Sequence, residues 1–153
     1  MNRETISRLI KSGWNKERRI DITEIENKLK ERGFIISTKN KEFLCRYANL
    51  NFELPSHNTQ LGEKSYIHFD TIKVLGKNLF KESLEYLEDE YDFLNANYLI
   101  PVGESANGNL MILCTSENVF YGYTDGCLVK YGENVDEMLD CLIGENRREY
   151  FFD

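Results

Sequence analysis

YLIPVGESANGNLMILCTSENVFYGYTDGCLVKYG, Tyr98–Gly132, decides the fold. It holds four short apolar or aromatic runs, Tyr98–Val102, Leu110–Cys114, Val119–Tyr123 and Leu128–Tyr131. Between them lie Asn107-Gly108, Ser116-Glu117-Asn118 and Asp125-Gly126. Asn-Gly and Asp-Gly are strong hairpin signals, because both positions of the tight turn want positive φ. Short runs bounded by such turns predict an antiparallel meander.

Downstream, Val135–Ile143 predicts a closing helix with Met138, Leu139 and Leu142 inward and Gly144 at its end. The tail Glu145–Asp153 is charged, then aromatic at Tyr150, Phe151 and Phe152, and is expected either to dock or to stay loose. Upstream, Leu84, Leu87, Tyr91 and Leu94 are spaced as one stripe of a helix over Lys81–Asn95, with acids on the opposite side. Asn51–Leu54 reads as a strand ending at Pro55, Ser56–Lys64 as a polar loop and Tyr66–Phe69 as another strand. Asp70–Phe80 is ambiguous between a short helix and a loop.

Three helices are expected near the N-terminus. Ile6, Leu9 and Ile10 share a face of the first, and Gly13 is its left-handed stop. Trp14 follows at once and is expected to fold back as a core lid; an exposed binding anchor is the alternative. Asp21 and Glu24 have capping-box spacing for a second helix, with Ile20 and Ile25 as its staple. Ile22, Ile25 and Leu29 give that helix its stripe and Gly33 its end. Phe34-Ile35-Ile36 reads as a brief strand. Thr38 then caps a third helix through Ala48, with Phe43, Leu44 and Tyr47 inward. The whole is α+β: an antiparallel sheet of four to six strands with N-terminal helices and a C-terminal helix packed against it, in one domain over 1–153.

A chain of 153 residues that is 41% hydrophobic and 12% aromatic can form a packed globule. At that size it buries roughly 70% of its unfolded surface and needs no staple. Cys45, Cys114, Cys127 and Cys141 are too far apart for a C-x-x-C pair, so free thiols in a reducing cytoplasm are expected. No signal peptide and no apolar run of membrane-spanning length is visible.

The net charge of −7 is unevenly spread. Residues 1–49 carry twelve Lys/Arg against seven Asp/Glu; residues 50–153 carry seven against nineteen. An acidic two-thirds is poorly suited to gripping phosphates, each of which needs a cation. It suits steering toward a basic protein.

Catalytic signatures are weak. His57 lies in the polar loop and His68 in a strand beside Asp70, and nothing in their spacing marks a Cys–His pair. Gly103–Gly108 has two glycines but sits between strands and lacks a phosphate-loop lysine. Glu88-Asp89-Glu90 is expected to fan around a helix axis rather than cage a metal.

Leu9-Ile10-Lys11-Ser12-Gly13-Trp14, then Arg18-Arg19-Ile20-Asp21, resembles the opening of SUKH-domain proteins, in particular their third subfamily. Gly33-Phe34, Glu42-Phe43-Leu44, Tyr47-Ala48-Asn49-Leu50, Ile100-Pro101-Val102-Gly103-Glu104, Val119-Phe120-Tyr121-Gly122, Tyr131-Gly132 and Val135–Leu139 follow in that family's order. Ala48-Asn49 stands where the family has two glycines. The resemblance covers nearly the full chain. It implies an α+β bacterial immunity protein of the cytoplasm that binds and neutralises a cognate polymorphic toxin domain, often a nuclease. It implies no enzymatic activity, no catalytic residue and no cofactor.

Charge and resemblance together point to Glu85, Glu88, Asp89 and Asp92 as the partner-binding face, with Glu104 and Asp125 at nearby turns. Two other readings stay open: a regulatory interaction scaffold of the same fold without a toxin partner, and a small enzyme or ligand-binding domain.

Overall fold

The computed structural model describes residues 1–55, 64–76, 78–144 and 150–152. Its helices are α1 (Arg3–Lys11), α2 (Thr23–Glu31), α3 (Thr38–Tyr47), α4 (Thr71–Leu75), α5 (Leu87–Glu90) and α6 (Val135–Ile143). Its strands are β1 (Asn51–Pro55), β2 (Lys64–His68), β3 (Leu99–Ser105), β4 (Leu110–Thr115), β5 (Phe120–Thr124), β6 (Cys127–Gly132) and β7 (Tyr150–Phe152). The seven strands form one sheet in chain order, each antiparallel to the next.

The four-strand meander is as predicted (β3–β6), and the two upstream strands extend it at one end as β1 and β2 while β7 extends it at the other. β7 pairs with β6 through Leu128, Val129 and Lys130, so the aromatic end of the tail is an edge strand. Asn107 and Gly108 take φ of 59° and 90°. Of Asp125 and Gly126 only the glycine has positive φ, at 80°, so that turn is not of the doubly positive kind.

Two glycine-aromatic steps end the first two helices in the same way. After α1, the Trp14 N–H reaches back to the Leu9 carbonyl at 3.0 Å, with Gly13 at φ 104°. After α2, the Phe34 N–H reaches back to the Leu29 carbonyl at 2.9 Å, with Gly33 at φ 89°. Both are Schellman-type closures, and in each the aromatic residue after the glycine is buried. Trp14 is therefore core, 5% exposed and stacked on Tyr47 at 6.0 Å. Phe34 is buried too, which explains why no strand forms at Phe34-Ile35-Ile36: its N–H is already used.

Other local expectations shift. On α1 only Thr5 and Leu9 are buried; Ile6 and Ile10 are exposed. Asp21 accepts from the Thr23 N–H at 2.9 Å and its hydroxyl at 2.6 Å, an entry turn with no capping box to Glu24. α3 is capped by Ser37, not Thr38, in a reciprocal box with Asn40. Asn49 takes φ 67°, the left-handed conformation that glycine adopts freely and asparagine tolerates.

α3 covers one side of the sheet. Cys114 and Phe120 are cross-strand partners and so point the same way. The Phe43 ring lies 5.1 Å from that of Phe120, and Asn40 Nδ2 lies 3.5 Å from Cys114 Sγ. Gly132 lets α6 approach; a Cβ there would stand 2.6 Å from the Met138 nitrogen. α6 in turn holds α1, because Asp140 accepts from the Asn2 N–H at 2.8 Å and the Thr5 hydroxyl at 2.6 Å.

Arginines close helix C-termini, where carbonyls lack partners and the dipole is negative. Arg8 donates to the Ile143 carbonyl of α6 at 2.8 Å. Arg18 donates to the carbonyls of Arg46 and Ala48, both at 2.7 Å, after α3. Arg32, buried, donates to those of Leu75, Gly76 and Leu79 around the end of α4.

Candidate partner-binding face

The expected helix over Lys81–Asn95 is broken into pieces. A 3₁₀ turn covers Lys81–Leu84, α5 covers Leu87–Glu90, and a second 3₁₀ turn covers Ala96–Tyr98. The stripe is nevertheless buried: Leu84, Leu87, Tyr91 and Leu94 are all under 8% exposed. Continuity fails because Glu82, Glu85, Glu88, Asp89 and Asp92 repel at helical spacings, with Lys81 the one cation in the run. Tyr91 turns extended at φ −133°. Glu88 then folds the chain back by accepting the Ala96 N–H at 2.7 Å.

This segment lies on the side of the sheet opposite α3. Tyr121 and Tyr123 alternate with Phe120 along β5 and so face away from α3. Tyr86 meets Tyr123 with ring centroids 6.0 Å apart, and Phe93 meets Tyr121 at 6.0 Å. Burial pushes both Tyr121 and Tyr123 hydroxyls to higher pKa.

Glu85, Glu88, Asp89 and Asp92 are all exposed on this layer. Glu85 lies 3.8 Å from Lys81. Among the described residues Asp89, Glu90 and Asp92 have no ion pair. Asp125 is exposed in the β5–β6 turn, two residues beyond Tyr123. Glu104 is not in a turn: it lies in β3, half-buried, with Oε1 2.8 Å from His68 Nε2. Glu88 and Glu104 thus have bonds within the fold, Glu88 while still exposed, and Asp89, Asp92 and Asp125 face outward.

Sequence reasoning missed Tyr86 and Phe93, which are 44% and 49% exposed among these acids. The signal was available: both fall off the Leu84–Leu94 stripe.

Of the other chemical candidates, His68 and Cys114 have partners within the fold. His57 and residues 56–63 of the predicted Ser56–Lys64 loop fall outside the described residues, as do 145–149 of the tail; Lys64 opens β2. His68 contacts Glu104 and the Asp70 N–H. Cys114 is buried beside Asn40 and Asn118, and burial pushes its thiol well above the usual range. Among the described residues no group of three or more His, Cys, Asp or Glu is placed to hold a metal ion. No helix there is long and apolar enough to cross a membrane.

The family motifs have visible tasks. A Cβ on Gly103 would stand 2.0 Å from the His68 carbonyl oxygen, so the close passage of β2 there requires glycine. A Cβ on Gly122 would stand 2.2 Å from the Tyr131 hydroxyl, which bonds Ser105 at 2.7 Å.

Fold and face define an α+β domain with α3 on one side of a meander and an acidic, aromatic layer that includes α5 on the other. The SUKH-3 immunity protein family matches residues 1–145, and the chain belongs to that family. No curated protein and no solved structure matches the chain.

Proposed function

We propose that this immunity protein neutralises a cognate toxin domain, a nuclease in the reading that fits its charge best, by covering the toxin's basic surface from within the cytoplasm. It binds and performs no reaction. Glu85, Asp89, Asp92 and Asp125 supply the outward charge, and Glu88, exposed but bonded to the Ala96 N–H, and Glu104, half-buried beside His68, add to the local field. The observation that carries this reading is the acidic layer at 82–92, fixed to β5 by ring contacts and bearing carboxylates with no ion pair among the described residues. A surface that grips nucleic acid must be cationic, and its inhibitor gains association rate from the opposite charge.

The test is association kinetics with the toxin domain encoded beside this gene. Glu85, Asp89 and Asp92 reversed together to lysine should slow association about tenfold or more at low salt, with little change at high salt. Glu88 is left alone because it holds Ala96. An unchanged on-rate rejects this face; a wild-type chain that binds no such toxin rejects the toxin reading.

A further inference from the structure

We infer that Arg32 is the positioning residue of the acidic layer, the side chain that sets where residues 80–92 begin and so where their carboxylates stand. The inference rests on the acidic-face reading above and names what holds that face in place.

Arg32 is the C-cap of α2, where a carbonyl has no partner further along the helix. That carbonyl accepts the Lys81 N–H at 2.9 Å. Gly33 follows with φ 89°, and a Cβ there would stand 3.4 Å from the Lys81 Cβ and 3.9 Å from Glu82 Oε1. The first acid of the layer therefore lies against the end of α2. The Arg32 guanidinium holds the approach to the same junction. One terminal nitrogen donates to the carbonyls of Leu75 and Leu79, at 3.3 and 3.0 Å, and the other to that of Gly76 at 2.9 Å. The Phe80 ring lies 4.8 Å from its Cζ. One residue thus grips both the end of α4 and the start of the layer.

Arg32 is only 6% exposed, and among the described residues no carboxylate pairs with it. A buried cation is costly unless it is hydrogen-bonded. Carbonyls at the end of α4 offset part of that cost, since the helix dipole is negative there. Lysine cannot reproduce the arrangement. Its ammonium is a point charge, whereas the guanidinium is a rigid fork that reaches separate acceptors and a plane that lies on a ring. The layer then opens with the 3₁₀ turn Lys81–Leu84. At three residues per turn, a slip of one residue at Lys81 would rotate each following side chain by about 120°. Glu85, now exposed, would be carried toward the buried side that Leu84 fills.

The test combines hydrogen exchange on the full chain with association kinetics against the toxin domain encoded beside this gene. Arg32→Lys should speed exchange across 80–92 about tenfold or more and leave β4 and β5 unchanged. It should slow association at low salt about threefold to tenfold. Trp14→Ala, which weakens the core elsewhere, should leave association as in the wild type. If Arg32→Lys fails to fold, Phe80→Leu, which strips the ring and keeps the carbonyl bonds, should show the same local opening and a smaller slowing. Exchange that rises equally in both regions overturns the inference, as does equal slowing by Trp14→Ala. Wild-type association in both Arg32→Lys and Phe80→Leu, while lysine reversal of Glu85, Asp89 and Asp92 slows it, overturns the inference and leaves the acidic face standing. An on-rate unmoved by that reversal removes the face, and the inference with it.

Discussion

His68 and Glu104 are joined across the one registered pair that connects β2 to β3, with Nε2 and Oε1 2.8 Å apart. The other ring nitrogen, Nδ1, accepts the Asp70 N–H at 2.9 Å, so Nε2 carries the proton that points at Glu104. The pair thus fastens the β1–β2 hairpin to the rest of the sheet. Glu104→Ala should destabilise the fold by about 1–3 kcal/mol. Urea denaturation checks this, and in a His68→Phe background the loss should shrink. Equal losses in both backgrounds would show that the two side chains do not act together.

Gly122→Ala should cost about 1–3 kcal/mol, because its methyl must displace the Tyr131 hydroxyl or bend β5. Gly126, with nothing within 4 Å, is the contrast. There Ala should cost only about 1 kcal/mol, for its positive φ. Thermal melts of the two variants should rank in that order. Tyr131→Phe should lessen the Gly122→Ala penalty.

Trp14→Ala should cost about 3–5 kcal/mol. It removes the ring that stacks on Tyr47 and underlies Arg46. A loss near zero by denaturant titration would contradict the packing. Partner on-rate, measured well below the melting temperature, should not change.

Acid should weaken the fold. The Thr23 hydroxyl and N–H hold Asp21 below its usual carboxylate range; Arg19 does the same for Glu42, and Lys130 for Glu133. A carboxyl lowered in the folded state contributes stability above its unfolded value, and that contribution disappears as pH falls through the folded value. Urea midpoints should therefore hold from pH 7 down to about 5 and fall below about 4. Salt should shrink the Glu42 and Glu133 portions and spare that of Asp21, whose partner is neutral.

Backbone demands were the most legible part of the fold. Gly13, Gly33 and Asn107-Gly108 were readable because few residues accept positive φ. Hydrophobic spacing was a weaker guide. It identified Leu84, Leu87, Tyr91 and Leu94 as buried, but burial says nothing about whether hydrogen bonds run on between them. It misassigned Ile6 and Ile10 because a helix as short as α1 can bury one narrow line and leave its flanks in water. Long-range pairs such as His68 with Glu104, 36 positions apart, leave no trace in local pattern. The acids of the candidate face were plain in the composition. Their ring companions were not, since an aromatic in an amphipathic run is usually core.

Arg8, Arg18 and Arg32 are three of the twelve cations of residues 1–49, and all three reach inward to carbonyl oxygens. A fourth, Arg19, is neutralised at the surface by both oxygens of Glu42. Part of the positive charge of that amino-terminal third therefore works inside the fold, closing helix ends, instead of reaching out into solvent on free side chains.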